Sequence, residues 1–256
     1  MMAISMLVDL SSRGKASLNR ISEFLDYKNN IFDKDVIDVD FIKGAIEFRN
    51  LTFTYPDSNE EVLKNISFKI KHGENIGVIG KTGCGKTTLV DLLLRLYNVE
   101  DNTIFIDDID INRIPIKTLR KYSSYVPQDN FLFSDTIESN IAFAYEYVNK
   151  DDVIKASKLA DVHDNIIGFD KGYETILGER GVTISGGQKQ RTSIARALMK
   201  DASILILDDS VSAVDTKTEK VILNNLKETR SGKTTLLIAH RISTVQDLDK
   251  ILFLED

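Results

Sequence analysis

The chain has 256 residues, 42% of them hydrophobic, with 39 acidic against 33 basic side chains and a formal net charge of −6. That apolar content is ample for one large domain or two small ones, while the acidic balance excludes the broad cationic surface of a protein working mainly on nucleic acid. One cysteine, Cys84, excludes an internal disulfide framework and fits a reducing compartment, and no run approaches the roughly 18 apolar residues that cross a bilayer.

The first ten residues are apolar but lack the leading positive charges and cleavage site of a secretion signal, and they read as the cut end of something longer. Over residues 12–26, Leu18, Ile21 and Leu25 share one helical face with Arg13, Lys15 and Arg20 elsewhere, which predicts an amphipathic connector helix. Residues 27–42 are polar and acidic without helical spacing, so 1–44 read as connector and linker leading into a domain at 45–256. From Ala45, short β-like runs at 46–48, 51–55 and 66–70 with polar breaks between them predict an antiparallel subdomain over 45–75.

Next comes an apolar run, Ile76, Val78 and Ile79, then Gly80, Lys81, Thr82, Gly83, Cys84, Gly85, Lys86, Thr87 and Thr88, then the amphipathic spacing of Leu89, Leu92, Leu93 and Leu96. Strand, glycine loop and helix in that order make a triphosphate cradle. The glycines let backbone N–H groups converge, and the helix opening at Lys86 adds its positive end. Lys86 brings a full charge to the β- and γ-phosphates, and the Thr87 hydroxyl is placed to complete a Mg²⁺ shell. Cys84 within this loop reads as a tolerated small side chain, with a redox-sensitive thiol as the alternative.

Residues 135–170 carry helical spacing (Val153, Ile154, Ala156, Leu159) and no convincing strand, so a helical subdomain is expected over 130–185. Ser185, Gly186, Gly187 and Gln188 then open a helix running through Met199, a second glycine-bearing anion cradle. An apolar strand at 203–207 delivers Asp208 and Asp209, the first suited to Mg²⁺ and the second to orienting or deprotonating a water. A helix near 217–228, a strand at 234–238 leading to His240, and a strand at 250–254 complete the chain, whose final residues stop abruptly. Strands alternating with helices predict an α/β fold with a mostly parallel sheet and ligands at the strands' carboxyl ends. Neither His72 nor His163 has a role, and no His/Cys cluster has zinc-ligand spacing.

One nucleotide has no use for two cradles far apart in one chain, so the second is expected to serve a nucleotide held by another subunit. The chain here resembles the nucleotide-binding domain of ATP-binding cassette transporters, whose Leu-Ser-Gly-Gly-Gln signature it matches with Ile184 in place of the leucine. The resemblance covers roughly 45–256 and implies a phosphate-loop NTPase core of RecA-like type with an antiparallel β subdomain and a helical insert. It implies that Tyr55 stacks on adenine and that Gln128 contacts Mg²⁺ and water where the insert couples to a membrane domain. Residues 212–215 would be the loop that crosses to the partner subunit, Asp215 reading equally well as a helix cap, and His240 the group that reaches the γ-phosphate. Gly178, Glu179, Arg180 and Gly181 resemble a segment of exporters rather than importers, and residues 13–21 resemble the stretch joining a last transmembrane helix to the cassette in half-transporters.

The resemblance therefore implies a Mg²⁺-dependent ATPase that drives efflux in a multidrug or lipid exporter. The cassette would lie on the cytoplasmic face of a multi-pass membrane protein, paired with a second nucleotide-binding domain and with the transmembrane domain of its own chain. One departure stands out: most members have glutamate where this chain has Asp209. Losing one methylene withdraws the carboxylate by about 1.5 Å, and a misplacement of about 1 Å can cost on the order of 10²-fold in rate. In the family this aspartate marks the slow, degenerate site of heterodimeric exporters. The expectation is a heterodimer in which this chain's own site hydrolyses weakly while its residues 185–188 complete the partner's. A homodimer with Asp209 as the base is the alternative. A soluble cassette acting on nucleic acid would carry basic surfaces or extra domains, and a phosphate-loop kinase or GTPase would leave the second cradle unexplained.

Overall fold

The computed structural model describes residues 2–26, 31–178, 184–212 and 214–255. The chain divides between Phe32 and Asp33 into two compact units. The first is the helix α1 (Met2–Leu25), which begins ten residues before the predicted start. Its apolar side chains Ile4, Leu7, Leu18 and Ile21 are exposed, and Arg13 pairs with Asp9 one turn back. Among the described residues, no helix is long and apolar enough to cross a membrane.

The second unit contains two sheets. In the antiparallel one, β1 (Ile46–Thr54) pairs with β2 (Glu61–Ile70) on one side and with β4 (Ile104–Ile106) on the other. The edge strand β5 (Ile109–Asp110) completes the order β2-β1-β4-β5. Residues 104–110 therefore add two strands to the sheet expected from 45–75. Runs of three and two residues are too short to show an alternation. Their connection is a tight turn in which Asp107 and Asp108 both take positive φ, which aspartate tolerates. The Asp107 carboxylate also accepts from the N–H groups of Lys43, Gly44 and Ala45, which fastens the entry to β1.

The strands of the second sheet are β3 (Asn75–Gly80), β6 (Ser123–Val126), which the short helix α3 (Ile116–Lys121) precedes, β7 (Ile204–Asp208), β8 (Thr234–Ile238) and β9 (Lys250–Leu254). Their order is β6-β7-β8-β3-β9, with all neighbours parallel. The inner strands β7 and β8 are buried along their whole length, as a sheet covered on both faces requires. Alternation divides them between two cores. Ile204, Ile206, Leu236 and Ile238 face the core shared with the antiparallel sheet and α2 (Lys86–Leu93), whereas Leu205, Leu207 and Leu237 face the helical side. That side is built from α4 (Ile137–Ile141), α5 (Lys150–Leu159), α6 (His163–Ile167), α7 (Gly186–Met199) and α8 (Thr216–Thr229). The architecture is thus α/β, with a parallel sheet, an antiparallel sheet and a helical region inserted between β6 and β7.

Candidate functional site

Register brings the chemistry to one edge. Val78 pairs with Ile238, and Ile238 with Asp208, so β8 and β7 end level and β3 runs two residues further to Gly80. The phosphate loop, His240 and the Asp208–Asp209 pair therefore leave the sheet side by side at its carboxyl edge, where open α/β sheets hold ligands.

The loop at 80–85 is shaped by steric exclusion. Gly85 has φ +89, and a Cβ there would lie 2.5 Å from Leu63 Cδ2; a Cβ on Gly80 would meet the Leu254 carbonyl at the same distance. Gly85 caps α2 without any side-chain hydrogen bond, which leaves the first-turn N–H groups of that helix available to an anion. Lys86 is buried, and its Nζ donates to the carbonyls of Gly80 (2.8 Å) and Lys81 (2.6 Å), with Cys84 Sγ at 3.7 Å. The ammonium is therefore held inside the loop it closes.

Thr87, the second residue of α2, donates from Oγ1 to Asp208 Oδ2 at 3.0 Å, and the Tyr125 hydroxyl donates to the same oxygen at 3.4 Å. Burial drives the Asp208 carboxyl above the usual carboxylate range. The hydrogen bonds from Thr87 and Tyr125 oppose this, the like charge of Asp209 adds to it, and Lys86 opposes it. Burial and Asp208 together also raise Asp91, one turn further along α2. A buried carboxylate held against its preference for neutrality is a ready cation ligand, and its oxygen lies beside the Thr87 hydroxyl.

Asp209 takes a left-handed backbone, φ +44. Its N–H donates to the Ile238 carbonyl (3.0 Å), and its own carbonyl accepts from Gln190 Nε2 (3.3 Å) and Ser212 Oγ (2.8 Å). Its Oδ2 lies 3.8 Å from His240 Nε2. Both side chains line a small cavity of about 150 Å³, and Asp209 also faces a larger cleft of about 700 Å³ with Gln128 and Gly186.

Tyr55 follows β1 and is partly buried. Its ring meets Phe53 and Tyr97 edge-on, with centroids 5.1 Å away in both cases, and its hydroxyl shares a 2.9 Å hydrogen bond with that of Thr88. The platform is stiff and tied to the helix that carries Lys86.

The second cradle has a different character. Ser185 and Gln188 engage each other in a capping box. Ser185 Oγ accepts from Gln188 N–H at 3.2 Å, and Gln188 Oε1 accepts from Ser185 N–H at 2.9 Å. Gly186 is exposed, and a Cβ built on it meets nothing within 4 Å. Among the described residues, no hydrogen bond joins this turn to the loop at 80–88. Gly186 borders the cleft that Gln128 and Asp209 also line. Glu179, Arg180, Gly181 and Ala213 lie outside the described residues. Asp215 caps α8, accepting from the N–H groups of Lys217 and Thr218, both at 3.1 Å.

Sequence reasoning missed Tyr125 and Gln190. Gln190 is 3% exposed and sits in the apolar stripe of Ile194 and Ala197 at helical spacing, so a polar residue at a core position was the available signal. Tyr125 gave none beyond its nearness to Gln128.

A family model described as ABC transporter matches residues 63–212. The whole chain is 44% identical to a probable multidrug resistance ABC transporter ATP-binding/permease protein of Bacillus subtilis, of which it covers 44%. An ATP-dependent lipid A-core flippase of Syntrophus aciditrophicus is 40% identical over 94% of this chain and 40% of its own length. The solved structure of a bacterial Atm1-family ABC exporter with ATP bound superposes with a TM-score of 0.88 at 36% identity, over 98% of this chain and 44% of that one. The chain spans less than half the length of these relatives.

Proposed function

The chain belongs to the ABC transporter family, and on that premise we propose that it is the ATP-binding and ATP-hydrolysing motor of an exporter, set on the cytoplasmic face of a membrane. The observation that carries this reading is the pairing of a closed phosphate loop with a second glycine turn whose Gly186 is exposed and faces open space. The loop would grip triphosphate, and the turn at 185–188 would close over the triphosphate of a second cassette. ATP then clamps two cassettes together, hydrolysis releases them, and the motion passes through Gln128 and the 178–181 segment to a transmembrane domain.

In this reading Lys86, the N–H groups of residues 80–88 and the Tyr55 ring hold ATP, and His240 reaches its γ-phosphate. The hard oxygen donors Thr87 Oγ1 and Asp208 Oδ2, with Gln128, suit Mg²⁺, which when bound would neutralise phosphate charge. Asp209 orients or deprotonates the attacking water.

The subunit is proposed to pair with a different half-transporter, its own site weak and its signature turn serving the partner's. The support is Asp209 itself: hydrogen bonds to Ile238, Gln190 and Ser212 pin its backbone, which opposes any advance of the chain to compensate for the shorter side chain. The test is phosphate release by the chain alone and with the product of a neighbouring half-transporter gene. Slow turnover alone and fast turnover in the mixture support the pairing. Fast turnover by the lone chain supports a homodimer with Asp209 as base.

A further inference from the structure

Among the described residues no hydrogen bond holds the His240 imidazole, whose Nε2 lies 3.8 Å from Asp209 Oδ2. Its direction is therefore set by the backbone that carries it. That backbone leads into α9 (Ile242–Val245), a single turn with no side-chain cap, too short to hold its own conformation.

What holds it is Glu219, in the first turn of α8 and 4% exposed. Glu219 Oε2 accepts from Arg241 Nη2, directly after His240, and Oε1 accepts from the buried Thr244 Oγ1 within α9. Two charge-assisted bonds from one buried carboxylate thus fix both ends of the turn. The far side is closed by β3: Gly77 lets α9 approach so nearly that a Cβ there would stand 2.5 Å from Val245 Cβ. Glu219 N–H in turn donates to the carbonyl of Asp215 (2.9 Å), the residue that caps α8.

We propose that Glu219 is a positioning residue that aims His240 through Arg241 and Thr244, and so sets how strongly the site prefers a triphosphate over a diphosphate. This rests on the reading in which His240 meets the γ-phosphate. A carboxylate that merely fastened α9 to the core would affect both nucleotides alike.

The test is calorimetric titration of the chain with a nonhydrolysable ATP analogue and with ADP, each with Mg²⁺, for the wild type, Glu219→Gln, Arg241→Gln, Arg241→Lys, His240→Ala and the double variant Glu219→Gln/His240→Ala. His240→Ala is expected to lower the triphosphate preference about tenfold with ADP affinity within about twofold. Glu219→Gln and Arg241→Gln should lose about three- to tenfold in the same ratio, Arg241→Lys should recover part of it, and the double variant should lose no more than His240→Ala alone. If His240→Ala lowers the ratio but Arg241→Gln and Glu219→Gln do not, the role of Glu219 is refuted and that of His240 stands. If His240→Ala leaves the ratio unchanged, the reading of His240 fails and the proposal with it. Equal losses for both nucleotides, or full additivity in the double variant, also overturn it. Should Glu219→Gln not fold, Arg241→Gln carries the test, because that side chain is 43% exposed.

Discussion

Replacing Asp209 with glutamate restores the missing methylene, and the size of the response follows from how the residue is held. Its N–H is bound to Ile238 and its carbonyl to Gln190 and Ser212, so the gain in reach, about 1.5 Å, goes into the side chain alone. Since about 1 Å of misplacement costs on the order of 10²-fold, Asp209→Glu is expected to raise kcat by about 10- to 100-fold. That is about 1.4–2.7 kcal/mol of activation free energy. It should also cost stability, because φ +44 suits aspartate better than glutamate by about 1 kcal/mol, lowering Tm by a few degrees. The assay is steady-state phosphate release with a companion half-transporter whose own catalytic carboxylate has been removed, so that only the site of this chain reports, together with the affinity for a nonhydrolysable analogue, which should move less than about threefold. If the wild type already turns over as fast as Asp209→Glu, the degenerate-site reasoning is wrong.

Three further outcomes follow from the geometry. Lys86→Ala empties the loop of the charge now held by the Gly80 and Lys81 carbonyls, and should weaken ATP binding at least 100-fold in a fluorescent-nucleotide titration while leaving far-ultraviolet dichroism unchanged. Gly85→Ala places a methyl 2.5 Å from Leu63 Cδ2 at φ +89; urea unfolding should show a loss of about 1–3 kcal/mol, along with the loss of nucleotide binding. Asp208→Asn removes a carboxyl whose value burial has raised. Because the folded state then holds its proton more tightly than the unfolded chain, the wild type loses stability as pH rises from the ordinary carboxylate value through the raised one. The Tm advantage of Asp208→Asn without nucleotide should therefore grow over that interval and then level off, and Mg²⁺ with an ATP analogue should stabilise the wild type far more than the variant.

Much of the site was legible because its chemistry is local in sequence. Residues 76–96 declare a strand, a loop and a helix within one stretch, and the apolar run Ile204–Leu207 and the β-branched and apolar run Thr234–Ile238 read as strands, so Asp208 and His240 could be placed at their ends without knowing the fold. The short strands β4, β5 and β6 have no periodicity of their own and exist because neighbours pair with them: Ile104, Phe105 and Ile106 are recruited by β1, and residues 123–126 by β7. The same holds for side chains whose role is set across the sheet. Gln190 meets Asp209 nineteen positions away, and Glu219 meets Arg241 across twenty-two, contacts that only parallel packing creates. α1 began earlier than expected because nothing in its first ten residues breaks a helix, although no amphipathic face marks them.

The central claim is that triphosphate is sandwiched between two cassettes, with the loop of one and the open glycine turn of the other on either side. Light scattering with Mg²⁺ and a nonhydrolysable ATP analogue, on the chain alone and mixed with its companion, tests it directly, with Gly186→Glu as the control. That glycine faces open space and begins a helix, where an acidic side chain is tolerated, so the variant should fold and bind nucleotide in its own loop. The account predicts a nucleotide-dependent doubling of mass that Gly186→Glu abolishes. Nucleotide-bound protein that stays single in both samples, or a doubling that Gly186→Glu leaves intact, would contradict it.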